Sequence, residues 1–222
     1  MAFPETSILD SGTGTDANPV GGSWSGPTVT GNQQLRRVSN KFANGPGTSA
    51  DNGSYWNAGP TSSADCECYC TIDTAGSGAG NWVEVEARIQ NVGTSGADYY
   101  AVLANLNGQS MEFFVVTNGV YAPLGSPSAL PGSVSWSNGD AIGIEIIGTT
   151  INGYYKASGG SWQLVASRTD STYSAAGHIA LSIGGSTSRV TNFGGGPFAG
   201  GGGGGPPSPV VIGRKLRGFI YS

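Results

Sequence analysis

In the nine residues Trp82-Val83-Glu84-Val85-Glu86-Ala87-Arg88-Ile89-Gln90, apolar and polar side chains alternate without a break from Val83 to Gln90. Successive side chains of a strand point to opposite faces of a sheet. Val83, Val85, Ala87 and Ile89 therefore belong to one face, and Glu84, Glu86, Arg88 and Gln90 to the other. Shorter runs of the same kind recur at 34–38, 41–43, 53–57, 65–72, 99–106, 110–117, 120–122, 140–147, 150–156, 162–167, 178–183 and 188–193. In the run at 140–147 the pattern sets Ile142, Ile144 and Ile146 on one side.

Turn residues punctuate these runs: Ser39-Asn40, the stretch 73–80, Asn118-Gly119, and Asn107-Gly108, which predicts a two-residue hairpin turn joining 99–106 to 110–117. Short strands at such regular intervals, with no helical period, define an all-β, antiparallel two-sheet jelly-roll sandwich. Parallel pairing would need crossover helices, for which no sequence is present. Composition agrees: 39 glycines, five Trp and nine Tyr suit tight turns and strands, and charged residues are only 11% of the chain, against about 25% in ordinary soluble domains.

Four segments follow. Residues 1–33 are a Gly-, Ser- and Pro-rich N-terminal segment, expected to be pinned to the body by Ile8-Leu9 and Trp24. Residues 34–193 form the sandwich. Residues 194–209 read as a Gly/Pro-rich linker, because so many glycines followed by Pro206-Pro207-Ser208-Pro209 cannot pack a core. Residues 210–222 read as a basic, apolar docking peptide. Val210, Val211, Ile212, Leu216, Phe219, Ile220 and Tyr221 would supply contact, and Arg214, Lys215 and Arg217 charge. A tethered peptide of this kind suits strand addition to a neighbour; the alternative is a loose end that folds back on its own domain.

A net charge of −4 gives the body no overall attraction for nucleic acid or anionic membrane. No run of eighteen apolar residues is present, and Met1-Ala2-Phe3-Pro4-Glu5 has neither a basic nor an apolar leader region. The three cysteines, Cys66, Cys68 and Cys70, occupy alternate positions and so share one strand face. Their near-parallel side chains suit neither a disulfide nor a paired zinc motif, and buried reduced thiols are expected, as in a protein folded in a cytoplasm.

The ordered set Asp140-Ala-Ile-Gly-Ile-Glu-Ile-Ile-Gly, Thr150-Ile-Asn-Gly-Tyr-Tyr-Lys, Trp162-Gln-Leu-Val, Ser171-Thr-Tyr-Ser-Ala-Ala-Gly-His-Ile-Ala-Leu and Ser188-Arg-Val-Thr-Asn-Phe resembles the concanavalin A-like lectin/glucanase jelly rolls. It is closest in kind to the laminin-G-like domains of bacteriophage structural proteins. Leu35-Arg-Arg-Val-Ser-Asn, Tyr55-Trp-Asn, Asp65-Cys-Glu-Cys-Tyr-Cys and Trp82-Val-Glu-Val-Glu-Ala-Arg-Ile extend the resemblance over residues 5–195.

The resemblance implies a fold that hosts lectins, glycosidases and inert virion domains alike. Retaining glucanases of the family carry Glu-x-Asp-x-x-Glu on one strand. Here the matching stretch is Glu84-Val85-Glu86-Ala87-Arg88-Ile89, so the central acid is Glu and the third position is Ile. The expected role of Glu84, Glu86 and Arg88 is therefore a solvated, charge-compensated sheet face. The single histidine, His178, opens a strand and lacks the strand–turn–helix elbow of a nucleophile. Asp98 and Asp140 stand alone in the sequence, so no calcium site is assigned and no cofactor is expected.

For sugar binding, Trp56, Trp82, Tyr99, Tyr100, Trp136, Tyr154, Tyr155 and Trp162 are candidate platforms, most of them expected in the core. The leading expectation is a non-enzymatic virion protein, a phage capsid decoration or fibre-type subunit. It would assemble in the host cytoplasm, dock through a terminal segment onto other virion subunits, and form a homo-oligomer. A carbohydrate-binding or adhesin module directed at a cell-surface glycan is the alternative, and a glycoside hydrolase the third reading.

Overall fold

The computed structural model describes residues 3–45, 52–58, 63–78 and 80–197. The docking peptide proposed at 210–222 and most of the linker lie outside them. Among the described residues sixteen strands run in chain order: β1 (Ile8–Asp10), β2 (Trp24–Ser25), β3 (Arg36–Val38), β4 (Lys41–Ala43), β5 (Asn52–Trp56), β6 (Cys66–Thr74), β7 (Trp82–Gln90) and β8 (Asp98–Asn105). They continue with β9 (Ser110–Thr117), β10 (Val120–Pro123), β11 (Ser128–Ala129), β12 (Ala141–Ile147), β13 (Thr150–Lys156), β14 (Trp162–Thr169), β15 (His178–Gly184) and β16 (Arg189–Pro197). One sheet has the order β14-β13-β12-β6-β16-β4-β3, with β1 also on β16; the other is β10-β9-β8-β7-β15-β5-β2, with β11 also on β9. Every strand pair is antiparallel.

The core lies between the two sheets. Cys66, Cys68 and Cys70 are fully buried and stand opposite Ile146, Ile144 and Ile142, the face the alternation assigned. Val83, Val85 and Ala87 approach from the second sheet. Burial pushes the Cys66 thiol up to about 12 and raises Cys68 and Cys70 as well, so all three are neutral, unreactive packing groups.

The hairpin turns differ from expectation. Asn105 pairs with Ser110, so Asn107-Gly108 lies inside a four-residue connection. That wider loop allows Leu106 to bury at its start. Tight two-residue turns are made by Asn118-Gly119, between the paired Thr117 and Val120, and by Ser39-Asn40, between the paired Val38 and Lys41, all four residues with positive φ. Asn152-Gly153 lies within β13, as its place inside the run at 150–156 predicts. Gly153 faces the core, where a side chain would overlap Phe113 and Met111.

At the C-terminal end, β16 continues past Phe193 through Gly194, Gly195 and Gly196 to Pro197, paired with β6. The linker expected from Gly194 is thus strand as far as Pro197, and Gly194 and Gly195 are close-packing residues. Gly194 lies under the Tyr69 ring, and Gly195 lies against the backbone of Glu67 and Cys68.

Three charged groups expected in solvent, Glu84, Glu86 and Arg88, are interior. Arg88 has φ 54° at a β-bulge where the β7 register shifts against both neighbours. Its guanidinium is 1% exposed and donates to the carbonyls of Ala64, Tyr173 and Gly148, with Asp65 at 3.6 Å. The bulge also reverses the alternation, so Ile89 leaves the inter-sheet core and joins a second cluster with Tyr99, Ala101, Val116 and Ala180.

The N-terminal segment is held as expected by Trp24, which packs on Phe42, Trp56 and Phe193 and donates to Asp10. The Ile8 and Leu9 side chains are exposed, and this stretch is held instead by the pairing of β1 with β16; a further anchor is Phe3, 8% exposed. Arg88→Met would leave three loop carbonyls without their donor, and we expect a loss of about 3 kcal/mol in urea denaturation.

Candidate functional site

The outer face of the second sheet carries the candidate site. The period of β7 puts Trp82, Glu84 and Glu86 there, and antiparallel register brings Leu103 and Ala101 of β8 beside the two glutamates. Ser182 and Ala180 of β15 flank them on the other side. Glu112 and Phe114 on β9 and Tyr121 on β10 complete the row.

The lower half of this face is closed by the second apolar cluster, against which Val29, Tyr55, Val92, Phe114 and Tyr121 pack. The upper half stays open as a pocket of ≈ 200 Å³ lined by Trp82, Glu84, Leu103, Phe114 and Tyr121. Glu84 is its buried polar group, and the aromatic rings around it are partly exposed. Trp82 lies flat over Gly184, where any side chain would overlap the indole. Next to the pocket, Asn105 donates to Glu112 at 3.2 Å.

Glu84 and Glu86 are 0% exposed, which overturns the expected solvated face. The physical reason is the packing on top of them. The Tyr121 hydroxyl donates to Glu84 at 3.0 Å and lies 3.0 Å from the Tyr99 hydroxyl. Ser182 donates to Glu86 in a short hydrogen bond. Burial, reinforced by the charge of Glu84, holds the Tyr121 phenol well above its usual range, so it stays a neutral donor.

Of the eight aromatic residues singled out in the sequence, Trp56, Tyr99, Tyr100, Trp136 and Tyr155 are buried. Trp82 remains at the pocket, and Tyr154 and Trp162 lie together on the opposite sheet. Phe114, Tyr121, Leu103, Asn105 and Glu112 were not anticipated. Extending the two-residue period of β7 and β9 by one step would have found Glu112 and Phe114. His178 faces the Trp56 carbonyl at 3.1 Å and the Tyr55 ring, at a strand end as expected.

Calcium finds no fit at the two isolated aspartates. Asp98 accepts from Asn118 N, Asn91 and Tyr173, and Asp140 from Ser137 N, Ser158 N and Tyr155.

Another buried carboxylate lies on the outer face of the first sheet. Glu67 is 0% exposed and stands directly opposite Glu145 across the β6–β12 pair. It accepts from the backbone N–H groups of Glu5 and Thr6. Glu145 accepts from Asn152 and Tyr154.

No protein-family model and no curated protein sequence matches this chain. Solved structures do match in fold. A carbohydrate-binding module, CBM66, from Bacillus subtilis is 15% identical, with a TM-score of 0.53 over 85% of this chain and 95% of that one. The CBM2 module of the evolved Dit of Lactobacillus casei BL23 phage J-1 is 13% identical, with a TM-score of 0.54 over 86% and 94%. The exoplasmic/lumenal domain of VIP36, in a Ca2+/Man2-bound form, is 9% identical, with a TM-score of 0.59 over 87% and 88%. The chain thus shares the two-sheet jelly-roll sandwich fold of these domains.

Burial, and next the charge of Glu145, raise the Glu67 carboxyl above its ordinary 4.5, although hydrogen bonds from Thr6 and Glu5 oppose the shift. The folded state then holds this proton more tightly than the unfolded chain. Its stabilising share is present below 4.5 and is lost as pH rises through the raised value. Glu67→Gln removes that loss. Thermal melts should show the variant more stable than wild type at about pH 8, with the gap closing toward about pH 4.

Proposed function

We propose that this chain is a non-catalytic carbohydrate-binding module whose site is the Trp82–Tyr121 pocket. The observation that carries this reading is the pocket's composition: exposed aromatic faces around a carboxylate, with an amide–carboxylate pair, Asn105 and Glu112, alongside. A pyranose ring offers an apolar face of C–H groups to an aromatic platform and a rim of hydroxyls to amides and carboxylates. A carbohydrate-binding module and a Man2-bound domain among the fold relatives add support.

The placement of the acids supports binding without turnover. Glycoside hydrolysis needs one acid free to protonate the leaving oxygen and another free to attack or to activate water. Glu84 and Glu86 are instead covered and engaged by Tyr121 and Ser182. Their role in this reading is to orient the donors that line the pocket. A glycan-array screen followed by calorimetry tests it. Trp82→Ala should weaken the best ligand about tenfold or more at unchanged melting temperature. Equal binding by the variant would refute the site.

A second reading, favoured by the fold likeness to the phage J-1 Dit module, places this sandwich on a virus particle as a displayed or receptor-binding subunit. In that setting residues 210–222 would hold a neighbouring subunit, and the glycan would belong to the host surface. Because β16 pairs as far as Pro197, truncation after that residue should leave the body folded. The same truncation should abolish incorporation into particles, and retained incorporation would refute the docking role of the tail.

A further inference from the structure

The two sheets divide the charge of the sandwich between them. Among the described residues, Arg36, Arg37, Lys41, Lys156, Arg168 and Arg189 all stand on strands of the first sheet. The strands of the second sheet carry Glu84, Glu86, Asp98 and Glu112 against one basic side chain, Arg88. That guanidinium is bound to the loop carbonyls of Ala64, Gly148 and Tyr173. Arg168 reaches the second sheet too, but over the ring of Phe113, which belongs to the inter-sheet core and not to the outer face. The outer face around the pocket is therefore negative, a field that draws cations and repels anions.

Sheet register sets two of these carboxylates on either side of one wall of the pocket. Glu84 pairs with Leu103, and Leu103 with Glu112. Paired residues share a face, so the two acids lie two strand spacings apart, about 10 Å at the backbone, with Leu103 between them. Glu84 is buried and accepts from Tyr121 at 3.0 Å. Glu112 is partly exposed, with Asn105 donating to its Oε1 at 3.2 Å.

The rings give the pocket a particular shape. The planes of Phe114 and Tyr121 stand 82° apart, with centroids 5.4 Å from each other. Such a pair makes a corner and not a platform. A pyranose stacks on a single ring plane, which Trp82 offers, whereas a corner suits a compact group that interacts in every direction. An ammonium is such a group. Aromatic faces attract it, and a carboxylate within reach adds a charge-assisted hydrogen bond. An anionic group would meet both the ring faces and the acids with the wrong sign.

Building on the reading of this pocket as a glycan site, we propose that its ligand is an amino sugar whose amine is free and protonated. The pyranose lies on Trp82, and the ammonium enters the corner of Phe114 and Tyr121, between Glu84 and Glu112. The same site disfavours uronic acids, and N-acetylation removes the charge it reads.

Calorimetry with β1,4-linked tetrasaccharides of glucosamine, glucose and N-acetylglucosamine tests the proposal, because the three differ only at C2. The glucosamine ligand should bind about tenfold more tightly than either neutral one. Raising NaCl from about 50 mM to about 500 mM should erode that advantage. Glu112→Gln, at a partly exposed position, should shrink the preference to about threefold or less, and Glu84→Gln should do the same where it melts cooperatively. Trp82→Ala should weaken the glucosamine ligand at both salt concentrations. A neutral tetrasaccharide that binds as tightly as the charged one would overturn the ammonium preference and leave the glycan pocket standing. Failure of all three to bind would also overturn it, while the array screen decides the glycan reading separately. A preference that survives both Glu112→Gln and Trp82→Ala would overturn it as well, because diffuse attraction to an acidic surface gives that result.

Discussion

The second sheet depends on the kink that Arg88 puts into β7. Upstream of it, the alternation turns Val83, Val85 and Ala87 into the core and Trp82, Glu84 and Glu86 to the outer face. At the bulge the order reverses, and Ile89 enters the outer cluster that closes the lower half of that face. The guanidinium pins the bulge by binding the carbonyls of Ala64, Gly148 and Tyr173, which come from three different loops. One charged side chain thus fixes the strand that carries the pocket and the connections around one end of the sandwich. A straight β7 would put Ile89 in the core and leave the outer face without its apolar base.

The abundant glycine has a second use besides turns. Gly184 makes room for the Trp82 indole, Gly143 for Phe3, Gly153 for Phe113 and Gly194 for Tyr69. Each lies within a strand, where a missing side chain lets a large ring press against the sheet backbone. Both faces outside the core therefore hold flat aromatic surfaces. On one sheet that surface is open to a ligand, and on the other it is covered by Phe3.

Periodicity made much of this legible in advance. The Cys66–Cys70 face, the Ile142–Ile146 face and the upstream half of β7 followed from a period of two, because both sheets bury one face in a common core. Three things were hidden for physical reasons. A non-glycine residue with positive φ leaves no mark in a single sequence, so the bulge at Arg88 and the reversal after it were invisible. The burial of Glu84 and Glu86 depends on Tyr121 and Ser182, which are remote in the chain and meet them only through sheet register. The glycines of β16 read as a linker because composition cannot distinguish flexible chain from chain pressed against a ring. The site suffered in the same way: Trp82 was among the candidates, but its partners on β8, β9 and β10 are assembled by pairing.

The central claim is that the second sheet's outer face, between Trp82 and Tyr121, is the ligand surface. Backbone amide and indole NMR shifts recorded while an array-selected oligosaccharide is titrated in test it most directly. The account predicts that the largest changes fall on the Trp82 indole N–H and on the amides of β7 through β10, with the Phe3–Trp162 side of the sandwich unmoved. Shifts confined to the first sheet, or to loops away from Trp82, would contradict it.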